Sequence, residues 1–131
     1  MRVLALDYGA ARTGVAVSDA TGTIARPLGV VERARTPKGI ARLRALVAEN
    51  EAELVVVGLP LTLRGERGHQ AAETEAFVRE LEAALDVPVE TYDERFTTSL
   101  AAQAAGDLPE DARAAAHLLQ SYLAGKSAQT S

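Results

Sequence analysis

The sequence predicts an α/β domain with a mixed sheet, in which three antiparallel strands are followed by parallel strands with crossover helices, in the order βββαβαβαα. Three observations carry this prediction. Two short apolar runs flank a glycine-bearing turn in "VLALDYGAARTGVAVSD". A continuous apolar run, "LVVVGLP", lies between two segments of helical periodicity, as a strand buried on both faces requires. From residue 36 onward, helical and strand-like segments alternate, which is the pattern of crossover connections. Right-handed crossovers then place the first strand and "LVVVG" in the middle of the sheet.

Each element follows from local chemistry. Val3 to Asp7 and Gly14 to Ser18 read as a hairpin, because both runs are apolar or β-branched and "YGAART" supplies a tight reversal. A third strand is expected over "RPLGVVER", where Pro27 and Gly29 restrict it to an edge or a bulge. Thr36 followed by Pro37 matches an N-cap with proline in the first turn, and Ile40, Leu43, Leu46 and Val47 recur at helical spacing to about Asn50. The next helix is expected over residues 70–85, with Ala72, Ala76, Phe77, Glu80 and Leu81 on one face and acids largely off the apolar stripe. "VPVETYDER" reads as a strand ending in charge. "TTSLAAQAA" reads as a short helix capped by Thr97 or Thr98, and a last helix runs from about Pro109 to Leu123. No repeat or linker divides the chain, so residues 1–124 are expected to form one domain and residues 125–131 a disordered tail.

A chain of 131 residues supports one core, burying about 65 to 70% of the surface its unfolded form exposes. Hydrophobic residues make up 47% without any run near the ~20 needed to span a bilayer, so a soluble cytoplasmic protein is expected, with no membrane partner. The absence of cysteine excludes disulfides, thiolate nucleophiles and thiolate zinc sites, leaving oxygens and the histidines His69 and His117 as metal ligands. The net charge of −4 conceals a split. Residues 1–69 hold 10 bases against 7 acids, a net of +3, while residues 70–131 hold 4 against 11, a net of −7. Within residues 12–44, seven bases face two acids, a net of +5, which is either a local footprint for a polyanion or a solvated helix face with loop arginines. Aromatic residues are only 4% and tryptophan is absent, so base stacking is not the expected mode of binding.

Ligands of open α/β sheets collect at the carboxyl ends of the parallel strands, and three acids fall near that end. Asp7 directly follows a buried run, where it either caps an Asx-type turn or binds a ligand. Glu94 ends the last strand, either paired with Arg95 or directed to the same place. Asp111 lies in the first turn of the final helix, where an acid suits the helix dipole. However, Ala115, Leu118 and Tyr122 follow it at inward spacing, so it shares the stripe that faces the sheet. Three such carboxylates would repel one another unless a cation joined them, and hard divalent ions such as Mg²⁺ or Mn²⁺ suit that oxygen set. Such ions support phosphodiester cleavage. Neither Ser18, Ser99 nor Ser121 sits in a nucleophile elbow, His117 reads as a half-buried helix residue, and "GLPLTLRGERG" lacks the ending of a Walker loop.

"LALDYGAARTGVAVSD", "ARPL", "VVVGLPLTLRGERG", "YDERFTT" and "DARAAAHLLQSYL" occur in an order that resembles the YqgF/RuvX family, linked to Holliday junction resolution and to maturation of precursor 16S ribosomal RNA. The resemblance covers nearly the whole chain. It implies an RNase H-like, RuvC-like fold and a metal-dependent endonuclease that uses Mg²⁺ or Mn²⁺, with Asp7, Glu94 and Asp111 as catalytic metal ligands. Arg12, Arg64, Arg67 and Arg95 match motif positions and are expected to contact the backbone of RNA or branched DNA. The hairpin glycines are expected to keep the ground beside Asp7 open to metal and phosphate. Twelve residues separate Thr98 from Asp111, where relatives carry a longer, Lys/Arg-rich connection. A homodimer would suit a junction, whereas RNA processing does not require one. The rival readings are a non-catalytic RNA-binding factor in ribosome assembly and an actin-like nucleotide-binding lobe, the latter normally needing two lobes around its nucleotide.

Overall fold

The computed structural model describes residues 1–60, 68–93 and 110–130. Their elements are β1 (Val3–Asp7), β2 (Arg12–Ser18), β3 (Ala25–Glu32), α1 (Pro37–Glu49), β4 (Leu54–Leu59), α2 (His69–Ala84), β5 (Val89–Asp93) and α3 (Glu110–Thr130). The five strands form one mixed sheet in the order β3-β2-β1-β4-β5. β2 is antiparallel to both β1 and β3, while β4 is parallel to both β1 and β5. The expected fold class is therefore what the chain adopts, with β1 at the centre. The short helix expected over "TTSLAAQAA" lies outside the described residues. Among the described residues, no helix is long and apolar enough to cross a membrane.

Strand alternation divides the core into two layers. Leu4, Leu6, Val15, Val17, Val55 and Val57 face α1 and α2, where they pack on Leu43, Leu46, Phe77 and Leu81. Val3, Ala5, Ala16, Leu54 and Val56 face α3, against Ala115, Leu118, Leu119 and Tyr122. The inward stripe of α3 is thus the one the sequence spacing indicates, and it includes the first turn that carries Asp111. α3 also continues to Thr130, past the Leu123 end expected from the sequence and through most of the segment read as a tail. Polar contacts fix it laterally. The Gln120 side chain accepts from the Ala25 amide at 3.1 Å and donates to the Thr23 carbonyl at 3.0 Å. Tyr122 donates to Glu90 of β5 at 2.7 Å, and burial together with that carboxylate pushes the phenol well above its usual range.

β3 is an edge strand and carries a bulge, as Pro27 and Gly29 require. Val15 pairs with Gly29 and Ala16 with Pro27, so Leu28 is the extra residue. Gly29 takes a φ of 157°, a conformation that a side chain would strain. Thr36 caps α1, its hydroxyl accepting from the Gly39 amide at 3.0 Å, and Pro37 follows in the first turn.

α2 departs from the expected face. Its buried residues are Ala71, Thr74, Phe77, Val78 and Leu81, whereas Ala72 is exposed and Ala76 only half-buried. Adjacent alanines leave the stripe ambiguous by one position, and docking of Phe77 under the sheet resolves it. Glu80, expected on the apolar face, instead accepts both its contacts from Arg35 Nε at 3.0 Å. That hydrogen bond raises the affinity of the Arg35 guanidinium for its proton.

The turn between β2 and β3 is organised by Asp19. Its carboxylate accepts from the Thr21 hydroxyl at 2.6 Å and from the Thr23 and Ile24 amides at 2.8 and 3.1 Å. The Thr21 hydroxyl first, then the two amides, lower its pKa from 3.8 to about 2. Because the folded value is depressed, the turn's contribution to stability is complete above about pH 4 and is lost as pH falls toward 2. Asp19→Asn should therefore be less stable than the parent at pH 5, with the difference closing near pH 2 in urea titrations. A difference independent of pH would exclude this role.

Candidate active site

Asp7 is placed by the same alternation that builds the core. Val3 and Ala5 of β1 point toward α3, so Asp7, two residues on, lies on that face at the carboxyl end of the central strand. Its neighbour across β2 is Gly14. The next residue, Tyr8, faces the opposite way and stacks on Phe77 with ring centroids 4.6 Å apart. β1 is hydrogen-bonded on both edges, so Asp7 stands on a rigid base. On that opposite face, a hollow of about 270 Å³ is lined by Tyr8, Gly9, Pro60 and the α2 residues Gln70, Glu73 and Thr74.

Gly14 brings the second acid in. A β-carbon on Gly14 would collide with the main-chain carbonyl of Asp111 and come within 3.1 Å of the Ala112 nitrogen. The first turn of α3 therefore rests directly on the backbone of β2, with Ala112 and Ala115 fully buried. Facing residues of an antiparallel pair hold their β-carbons about 5 Å apart, so Asp7 lies about that distance from the place where Asp111 touches Gly14. Gly9 leaves a tight turn, since a β-carbon there would meet the Arg12 carbonyl at 2.5 Å. The expectation that the hairpin glycines keep open ground is corrected at Gly14, whose space is filled by α3. A glycine within a strand is the usual mark of close backbone approach, and that signal was available in the sequence.

Arg12 begins β2 and places Nε 3.1 Å from Asp111 Oδ2, with the arginine side chain 61% and the aspartate 33% exposed. So exposed a pair contributes about 0 to 1 kcal/mol, and its interest is positional. The arginine expected to meet phosphate is held beside one of the two acids. His117 is half-buried on α3, as the sequence indicates. Asp93 closes β5 opposite Leu59 of β4. Glu94, Arg64, Arg67 and Arg95 lie outside the described residues. Among the described residues, no group of three or more acidic or histidine side chains converges as a metal site. Within the described residues, the structure brings together Asp7, Asp111 and Arg12 around Gly14.

A family model described as "RuvX: Holliday junction resolvase" matches residues 1–125. A protein of Chloroflexus aggregans named "Putative pre-16S rRNA nuclease" is 44% identical over 130 residues, covering 92% of both chains. One of the same name from Syntrophomonas wolfei is 38% identical, covering 97% of this chain and 96% of its own. Among solved structures, Thermus thermophilus RuvC in complex with a Holliday junction substrate aligns with a TM-score of 0.56 at 18% identity, covering 95% of this chain and 96% of RuvC. The fowlpox virus Holliday junction resolvase gives 0.55 at 12% identity, covering 95% of this chain and 99% of its own. The structural likeness shows the fold, an RNase H-like sheet of RuvC type.

Proposed function

The chain belongs to the RuvX family of Holliday junction resolvases, and from that premise we propose that it is a divalent-metal-dependent endonuclease that processes the precursor of 16S ribosomal RNA. It is a nuclease of this family, and the RNA substrate rests on the names of relatives 38% and 44% identical over almost their whole length. The observation that supports the site assignment is that Asp7 pairs with Gly14 across the strands while the main chain of Asp111 rests on the same glycine.

Two carboxylates from separate elements that flank one strand end would supply a donor set of hard oxygens, whose repulsion a bound cation would offset. Asp7 and Asp111 would hold Mg²⁺ or Mn²⁺, with Glu94 as the third ligand by its motif position. When bound, such a metal activates water and stabilises the leaving oxygen of a phosphodiester. The chain's own groups do the positioning. β1 holds Asp7 without backbone freedom, and the contact at Gly14 sets how far Asp111 stands from it. Arg12 neutralises Asp111 from the solvent side, and an arriving phosphate competes with Asp111 for the same guanidinium. Arg64, Arg67 and Arg95 would add backbone contacts. One copy of the chain suffices for cutting RNA, whereas symmetric cutting of a junction would use two.

The test is Mn²⁺-supported cleavage of a 16S precursor fragment, an unstructured RNA and a four-way DNA junction. The precursor fragment should be cut, and Asp7→Asn and Asp111→Asn should each lower the rate on the order of 10²-fold or more, since a metal supplies several kcal/mol to the transition state. Undiminished cleavage by both variants would remove the site. Binding of precursor RNA without cleavage under any metal would point to the assembly-factor reading instead.

A further inference from the structure

The basic segment of residues 12–44 is only partly used by this site, since Arg12 alone reaches Asp111. Half of the remaining six bases gather in one place. A groove of about 510 Å³ opens between the end of β3 and the first turns of α1, and Arg33, Lys38 and Arg42 line it together with Glu32 and Thr36. All three cations are exposed. Arg42 shares its charge with Glu49, whose Oε2 lies 3.5 Å away on the exposed face of α1. Three cations thus face Glu32 within the groove, with Glu49 at its side.

The groove lies at the same sheet end as the candidate active site, around the β3 edge, since α1 packs on the face of the sheet opposite to α3 and Asp7. Asp7 pairs with Gly14, and Gly14 pairs with Val30, a groove residue, so one cross-strand row joins the two places. At the spacing of neighbouring strands, that row spans about 10 Å. β3 runs parallel to β1, because both are antiparallel to β2, so Glu32 and Arg33 sit at the same sheet end as Asp7. Arg12 stands between, opposite Glu32.

The corner is also rigid. Arg33 takes a φ of 47°, a costly conformation for a residue with a side chain. Its amide donates to the Ala11 carbonyl at 3.0 Å, and its carbonyl accepts from the Thr36 amide at 3.1 Å and hydroxyl at 2.8 Å. Gly39 lets α1 close on this turn, since a β-carbon there would collide with the Arg33 carbonyl. The backbone beneath the guanidinium is therefore fixed before any ligand arrives. Lys38 and Arg42 follow one turn apart on α1, a rise of about 6 Å, which suits successive phosphates better than a single small anion.

We propose that this groove is a second phosphate-binding site for the substrate strand, in which Arg33, Lys38 and Arg42 receive the phosphodiester backbone after it has passed Arg12. The inference rests on the nuclease reading for its substrate class. The groove presents charge and no aromatic face, so it grips backbone without reading bases and serves RNA and DNA strands alike.

The experiment measures binding of fluorescently labelled single strands of increasing length, as RNA and as DNA, with divalent metal chelated. Arg33→Ala/Lys38→Ala is compared with Arg44→Ala, which removes an exposed α1 cation lining a different hollow. The double variant should bind long strands about tenfold more weakly and lower the slope of log affinity against log salt by about 1 to 2. It should also lose most of the affinity that the parent gains with length, with Arg44→Ala unchanged. An unchanged salt slope in the double variant, an equal loss in Arg44→Ala, or a loss confined to one type of strand would overturn the proposal. Since no cleavage is read, failure of the nuclease reading would leave this result standing, and the reverse also holds. Matching melting curves for the parent and both variants establish that the three exposed substitutions leave the fold intact.

Discussion

Gly14→Ala is expected to be among the most damaging single-methyl changes in this protein. The added carbon would occupy the position of the Asp111 carbonyl, and both partners are backbone, so no side chain can rotate away. Either β2 shifts from its place between β1 and β3, or the first turn of α3 lifts off it. Overpacking of this kind costs about 1 to 3 kcal/mol, and a main-chain collision belongs at the upper end. The variant should melt several degrees below the parent. It should also lose cleavage by more than its loss of folded protein accounts for, because a lifted α3 carries Asp111 away from Asp7. Thermal melts and cleavage assays well below the melting point separate the two effects. Parental stability and activity in Gly14→Ala would show that α3 does not rest on this strand.

Asp7→Asn should separate metal binding from folding. Asparagine keeps the shape of aspartate but not its charge, so the variant should fold as the parent does while losing the Mn²⁺-dependent part of its stability. A ligand present at a hundred times its dissociation constant stabilises the folded state by about 2.7 kcal/mol. The parent should gain that amount in a melt with Mn²⁺, and the variant should gain far less. This readout needs no nucleic acid, so it tests the metal assignment apart from the substrate. An equal gain in both proteins would show that Asp7 is not a ligand.

Local signals located most of the elements. The apolar runs of β1 and β4 are long enough and free enough of charge to be read directly, because a strand buried on both faces leaves no polar alternation. Thr36 and Pro37 mark the start of α1 through an interaction three residues long. Pro27 and Gly29 indicate the edge and the bulge through backbone chemistry that no partner can change. The inward stripe of α3 shows in the spacing of Ala115, Leu118 and Tyr122, since a helix carries its period along its whole length. α2 was less legible, because its alanines permit two faces and only the docking of Phe77 chooses between them.

Within the candidate site, residue types were legible and their relations were not. Asp7, Arg12 and Asp111 stand out as polar residues at the ends of apolar elements, and that pattern is local. Nothing local couples residue 14 to residue 111, or lines up Asp7 with Val30 across three strands. Those relations depend on sheet order and register, which arise from the packing of strands and helices far apart in sequence. Composition and periodicity thus sufficed for the fold class and the candidate acids. The tertiary structure alone decided that the α3 backbone occupies the space above Gly14, that Arg12 pairs with Asp111, and that Arg33, Lys38 and Arg42 line one groove, because each is a contact between elements and not a property of any one of them.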